Sequence, residues 1–197
     1  MNSNLYLGLV HHPIYDKKKE IVATAVTNFD IHDIARCAKT FGLGGFFVIT
    51  PLESQIQLVE RILHHWVKGS GSAYNPTRKD SLSLVRVSRT IDQAGREISD
   101  LWGKKAKRVA TGASTYPHSI PFGSLKKLLK DQNTPFFILF GTGWGLAQEV
   151  KDSSDYVLAP IEGKGYNHLS VRSAVAIILD RLLGDREGEK DESDGIG

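Results

Sequence analysis

A single cysteine, Cys37, stands in a chain of 197 residues. That scarcity excludes an internal disulfide and any cysteine-based metal centre, and Cys37 lies in an apolar helical stretch where a buried, inert thiol is expected. No run of about 18 apolar residues exists, so no membrane-spanning helix is expected. The opening "MNSNLYLGLVHHP" lacks the basic start, long apolar middle and small-residue cleavage site of a signal peptide. The reading is a soluble, cytoplasmic protein. The paired histidines His11–His12 and His64–His65 have no carboxylate or thiolate at ligand spacing, so no metal site is expected. Neither an internal repeat nor a linker is present, which implies one domain over residues 1–184.

Apolar residues make up 41% of the chain, enough for a substantial core. The formal charge of +3 is unevenly spread. Residues 185–197, "DREGEKDESDGIG", hold six acids and two bases, and without them the net charge is +7. This stretch is too poor in apolar residues to fold and is expected to be a disordered acidic tail. The rest is basic enough to favour a polyanionic partner. Bases cluster at Lys17–Lys19, Arg78–Lys79, Lys104–Arg108 and Lys126–Lys130.

Strand-like runs, "LYLGLV", "GFFVIT", "LSLVRV", "RVATGAS", "FFILFG" and "DYVLAPI", alternate with segments of helical period. Single helices between strands predict an α/β fold: a mostly parallel sheet with helices on both faces. The first helix, within Asp30 to Phe41, puts Ile31, Ile34, Ala35, Ala38 and Phe41 on one stripe, with Asn28 or Asp30 as cap and Gly42 as stop. A second runs from about Ser54 to Val67, and others over Asp92 to Trp102, Phe122 to Lys130 and "SVRSAVAIILDRLL". Lys68 to Ser81, "KGSGSAYNPTRKDS", reads as one long polar loop. Such a loop is either functional or simply flexible, and Tyr74, Asn75 and Arg78 are its candidates for contact with a partner.

"FFILFGTGWGLAQEV" runs from a strand into alternating glycines, Gly141, Gly143 and Gly145. With Glu162 downstream this imitates a dinucleotide fingerprint, and a nicotinamide-dependent oxidoreductase is one reading. Leu146, however, occupies the place of the fingerprint's last glycine, and too few residues follow for a full crossover helix. No Gly-Lys-Ser/Thr follows either, which excludes a P-loop. Glycines here suit close approach of backbone to a flat or bulky ligand. "VATGAS" and "LAPIEGKGYNHLSVRSAVA" also open from strands into small-residue turns, so three strand ends can converge on one ligand.

In order and spacing, three motifs resemble the SPOUT superfamily of S-adenosylmethionine-dependent RNA methyltransferases. They are "NFDIHDIARCAKTFG", "LFGTGWGL" and "APIEGKGYNHLSVRSAVA", and together they span nearly the whole chain. The likeness is strongest to an uncharacterised bacterial group related to a domain fused to tRNA guanine methyltransferases. It implies a C-terminal deep trefoil knot, a bent S-adenosylmethionine held mainly by backbone, and no metal. The implied cofactor residues are Thr111, Gly112, Ala113, Leu139, Gly141, Thr142, Gly143, Trp144, Ile161, Tyr166, His168 and Leu169. Arg36 matches the arginine that holds substrate phosphate or activates the attacking group, with Asp33 on the same helical face and Asp30 where the family has Asn. Asn28 joins Tyr74, Asn75 and Arg78 on the side of the RNA, which the resemblance implies to be tRNA or rRNA. Ser170 and Arg172 replace an Asn and a Ser of the family pattern. The apolar "SAVAIILDRLL" matches the helix through which family members form homodimers. An RNA-binding, cofactor-binding paralogue without transferase activity is the alternative these departures leave open.

Overall fold

The computed structural model describes residues 3–184; the acidic stretch 185–197 lies outside the described residues. Eight strands form: β1 (Leu5–Val10), β2 (Ile14–Tyr15), β3 (Ile21–Val22), β4 (Gly45–Ile49), β5 (Val85–Ser88), β6 (Lys107–Ala110), β7 (Phe136–Gly141) and β8 (Tyr156–Val157). Six make one sheet in the order β5-β4-β1-β7-β6-β8, every pairing parallel, and β2 and β3 form a separate antiparallel hairpin. β1, β4 and most of β7 are buried on both faces, which is why they read as unbroken apolar runs.

Strand alternation divides the core in two. On one face Leu5, Leu7 and Leu9 of β1 meet Ile31, Ile34 and Ala35 of α1 (Asn28–Thr40), and also Val175 and Leu179 of the C-terminal helix. On the other, Tyr6 and Val10 join Phe47, Phe137 and the helix Ile91–Trp102. The expected apolar stripe of α1 is therefore buried, except that Phe41 is the C-cap and only partly covered. Its N-cap is Thr27, not Asn28 or Asp30: the Thr27 hydroxyl accepts from the Asp30 N–H at 3.2 Å.

α2 (Glu53–Leu63) continues through a π-helical turn at His64–Lys68. The expected long loop is instead two short helices, α3 (Ser70–Tyr74) and α4 (Pro76–Leu82). Asn75 caps α4 by accepting from the Arg78 N–H at 3.0 Å, and Pro76 takes the first helical position, where no N–H is needed. The remaining helices are α5 (Ile91–Trp102), α6 (Phe122–Leu129), the single turn α7 (Gln148–Asp152) and α8 (Val171–Leu183). Trp102 lies at the margin of the core and donates through Nε1 to Tyr6 Oη at 3.0 Å.

Candidate functional site

Parallel sheets present their ligand sites beyond the carboxyl ends of the strands, where successive connections diverge. Here β1 leads outward to β4 and β5, while the later strands fill in on its other side, so the divergence falls at the C-terminal ends of β1 and β7. The glycine turn follows β7 directly and the 158–170 loop follows β8, so both open at this edge.

The glycine turn after β7 is bound inward. Thr142 N–H donates to Val10 O at 3.1 Å, Trp144 N–H to Tyr15 O at 3.0 Å, Gly145 N–H to Thr142 O at 3.0 Å and Ala147 N–H to Pro13 O at 3.2 Å. Those amides are committed to the chain itself and leave no cradle for a pyrophosphate, which removes the main support for the dinucleotide reading. The glycines serve the turn's own geometry. A Cβ on Gly141 would lie 2.5 Å from Leu146 N, and one on Gly143, at φ +55°, would lie 2.8 Å from Ile14 Cδ1. Leu139 is buried, and its carbonyl accepts from both the N–H and the hydroxyl of Thr111. Trp144 is 70% exposed beside the β2–β3 hairpin.

A cleft of about 600 Å³ opens between the loops after β6 and β8. From the expected cofactor set it brings together Ala113, Ile161 and Tyr166, and it adds Thr115, Ser119, Pro121, Pro160, Glu162, Gly163, Gly165 and Asn167. Asn167 fastens its two walls, donating from Nδ2 to Ala113 O at 2.6 Å. Sequence reasoning passed over Asn167, since its partner lies 54 residues away. Gly112, His168 and Leu169 flank the cleft on exposed backbone. Its lining carries one acid, Glu162, and no Lys, Arg or His. Such a wall suits a ligand bearing sulfonium and ammonium charge and disfavours a polyphosphate. The apolar faces of Pro121, Pro160, Ile161 and Tyr166 can take an adenine.

The loop that forms this cleft ends at α8, which returns to α1. Arg172 Nε lies 3.2 Å from Asp30 Oδ1 and Arg172 Nη1 lies 3.1 Å from Asp33 Oδ2. Asp33 is thus engaged by α8, and Arg36, its expected companion one turn on, is exposed with no ion pair among the described residues. Asn28 is exposed in the first turn of α1. Farther along the same face the Arg78 guanidinium lies 4.4 Å over the Trp66 ring, whose edge also meets His32 and His65. Burial, together with the nearby Arg78 and Arg36, holds the His32 pKa below its ordinary value. Tyr74 is 86% exposed, free to stack, whereas Asn75 is occupied as a cap.

Behind α1, His11 is fully buried at the end of β1. Burial lowers its pKa to about 4, and Asp30 opposes that shift only in part, so the ring is neutral near pH 7. Among the described residues no group of three or more His, Cys, Asp or Glu is placed to hold a metal, and no helix is long and apolar enough to cross a membrane.

The chain matches a family of SAM-dependent RNA methyltransferases over residues 4–184. A tRNA (guanine-N(1)-)-methyltransferase of Oleidesulfovibrio alaskensis is 45% identical over 183 residues, covering 92% of this chain but 42% of that protein. The chain therefore spans less than half of that relative. An uncharacterized protein of Aquifex aeolicus is 37% identical, with 93% of this chain and 90% of that one aligned. Among solved structures, the TrmH/SpoU tRNA modifying enzyme of A. aeolicus superposes with a TM-score of 0.57 at 14% identity, covering 92% of this chain and 74% of that one, a likeness of fold. With a family match over nearly its whole length and an inward-folded glycine turn beside a cation-tolerant cleft, this chain belongs to the SAM-dependent RNA methyltransferase family.

Proposed function

We propose that the protein transfers a methyl group from S-adenosylmethionine to RNA, either tRNA or rRNA. The observation that carries this reading is the cleft between the loops after β6 and β8: one acid, no base, apolar walls, and a loop that leads to α8, whose Arg172 pairs with Asp30 of α1. Ala113, Ile161, Tyr166 and Asn167 would hold the cofactor, with Gly112, His168 and Leu169 at the rim and Thr111, Leu139, Gly141, Thr142, Gly143 and Trp144 shaping the adjoining turns. Bound there, S-adenosylmethionine supplies an electrophilic methyl carried on a sulfonium. Arg36, exposed and without an ion pair among the described residues, orients the RNA group that is methylated or clamps its phosphate. Asp30 and Asp33 act through Arg172, keeping α1 and the cleft loop in register. Asn28, Tyr74 and the Arg78–Trp66 stack extend the RNA face.

We further infer a C-terminal trefoil knot within one domain that ends near residue 184. Ile120 pairs with Leu158, Asn167 reaches back to Ala113, and α8 then rests on α1, α6 and β7, contacts that support a chain end passed through the 111–121 connection. A crystal structure in which residues 158–170 run outside that connection rules the knot out. α8 buries Val175, Ile178, Leu179 and Leu182 and leaves Ala176, Ile177 and Leu183 half covered, which supports a homodimer through this helix. Sedimentation showing a monomer at micromolar concentration would refute it. A cytoplasmic site of action follows from an RNA substrate.

The decisive experiment is tritiated-methyl transfer to RNA from a strain lacking the protein, followed by nucleoside mass spectrometry. One labelled nucleoside is expected. S-adenosylhomocysteine at 100 times its dissociation constant should add about 2.7 kcal/mol of stability. Binding without transfer to any RNA would favour the inactive paralogue.

A further inference from the structure

Lys17–Lys19 and the β2–β3 hairpin that carries them have no part in the site described above, yet the hairpin is built onto its edge. Ile14 of β2 bridges antiparallel to Leu146. Tyr15 N–H donates to Gly145 O at 2.9 Å, and Tyr15 O accepts from Trp144 N–H at 3.0 Å. Trp144 and Gly145 thus stand together opposite Tyr15, the two-against-one count of a β-bulge, a device that re-aims a side chain. The Tyr15 hydroxyl accepts from Gln148 N–H at 3.1 Å, which fastens the hairpin to α7 as well. Trp144 is therefore exposed on backbone that is held in place, and Ile21, paired with Tyr15 across the hairpin, is exposed too.

The tip is equally well defined. Asp16 Oδ1 accepts from Lys18 N–H at 2.7 Å and from Glu20 N–H at 2.9 Å, while Lys19 N–H donates to Asp16 O at 3.1 Å. This closure puts Lys19 at φ +63°, a left-handed conformation that glycine adopts freely and lysine only with strain. Strain kept at a surface position points to use of the side chain. Lys17, Lys18 and Lys19 are all exposed, without an ion pair among the described residues. Against them stand Asp16 and Glu20, and Asp16 is turned to the tip's own amides.

The Cα of Lys17 lies within about 7 Å of that of Tyr15, and the Cα of Lys19 within about 14 Å, because two and four residues separate them. An aromatic face beside flexible ammonium groups fits an unpaired nucleotide, whose base stacks on the ring while its phosphates meet the lysines. A duplex keeps its bases stacked inward and offers the ring nothing. The hairpin follows β1 and passes the chain to α1 through residues 23–27, and β7, which leads to Trp144, adjoins β6, whose loop walls the cleft. A strand bound at the hairpin thus lies at the same carboxyl edge as the cleft.

We propose that Trp144 and Lys17–Lys19 form a docking platform for a single-stranded RNA segment that flanks the methylated nucleotide. Trp144 stacks an unpaired base and the lysines hold its phosphates. This rests on the RNA-methyltransferase reading and deepens it: the substrate presents its target in a loop or another unpaired stretch, not within a helix.

The test is fluorescence anisotropy with two probes, a labelled single-stranded oligoadenylate and its duplex with oligouridylate, in saturating S-adenosylhomocysteine. Trp144→Ala should weaken the single strand by about 5- to 100-fold and the duplex by less than about twofold. Lys19→Gly removes charge and strain together, so it should melt no lower than the wild type while the salt slope for the single strand falls by about 0.7. Either variant binding the single strand as the wild type does overturns the platform, and so does an equal loss on both probes. A Trp144→Ala protein that no longer binds S-adenosylhomocysteine makes the ring a cofactor contact and overturns it as well. Variants that keep RNA affinity but lose binding to phosphatidylserine vesicles assign the patch to a membrane surface instead. Should Trp144→Ala fail to fold, Lys19→Gly decides, since an exposed tip lysine supports no packing. Wild-type protein that methylates no RNA overturns the functional reading alone, because the platform is read from binding.

Discussion

Arg172 Nε sits 3.2 Å from Asp30 Oδ1. Both residues are sites where the sequence departs from the SPOUT pattern, an acid in place of Asn and an arginine in place of Ser. In space the departures answer each other, for one guanidinium spans both Asp30 and Asp33 and ties the start of α8 to α1. Exposed pairs contribute about 0–1 kcal/mol, and the Asp30 carboxylate is the better covered of the two acids. Arg172→Ala should therefore cost about 1–2 kcal/mol in denaturant unfolding and lower transfer through misplacement of α1. Arg172→Lys should restore less than half, because a single ammonium cannot span both acids. A double-mutant cycle with Asp30→Asn that shows no coupling would remove the role assigned to this pair.

Because Arg172 holds Asp33, Arg36 is left free on the solvent side of α1. Arg36→Ala should keep folding and cofactor affinity nearly intact while transfer falls by about two to four orders of magnitude. Arg36→Lys should recover little, since a point charge cannot reproduce a planar two-pronged contact. Full activity in the alanine variant would move substrate orientation to Arg78.

Gly143 tests what the glycine turn is for. At φ +55° a side chain is strained, and a Cβ would press on Ile14 Cδ1 and on Tyr15 O at 3.2 Å. Gly143→Val should lower stability by about 1–3 kcal/mol before any ligand is added. Gly112→Ala, where a Cβ meets nothing within 4 Å, should melt like the wild type. A valine variant with unchanged melting and no cofactor binding would make the turn a ligand contact first.

How much of this could be read from sequence depended on the range of the interactions. β1, β4 and β7 were legible because burial on both faces makes them continuously apolar, and α1 because its stripe has the period of a helix. Residues 68–81 were not, since α3 and α4 are too short to show a stripe; Asn75–Pro76, a cap followed by a first-position proline, was the signal within reach. "DYVLAPI" forms only a two-residue strand, for Leu158 bridges to Ile120 outside the sheet's regular ladder. The two loops that wall the cleft could be anticipated from small residues at strand ends, but the occupied amides of the glycine turn, which stays out of its lining, could not. They depend on Val10, Pro13 and Tyr15, more than a hundred residues earlier.

RNA affinity should be electrostatic in origin. If Arg36 and Arg78 meet the phosphate backbone, log affinity should fall linearly with log salt at about 0.7–0.9 per phosphate contacted. Arg78→Ala should reduce that slope by about one and release Trp66, making the ring more accessible to a quencher. A salt-independent affinity would exclude this face as the RNA site.

The buried His11 makes a prediction about acid stability. Its folded-state pKa is lowered to about 4, while in the unfolded chain it returns to 6.5, the ordinary histidine value. Between these values the unfolded state binds a proton that the folded state refuses, so stability is complete above about pH 6.5, declines as pH falls, and levels off below about 4. At 1.36 kcal/mol per unit the full loss is about 3 kcal/mol. Burial also lowers His32, which adds to the decline over the upper part of the same window. Asp131 and Asp155, both held below the ordinary carboxylate value by hydrogen bonds, lose their contributions at lower pH. The difference between wild type and His11→Asn cancels these shared terms. That difference should grow in favour of the variant from pH 6.5 to 4, measured by urea unfolding at half-unit intervals. Parallel curves would mean that His11 is charged in the folded state.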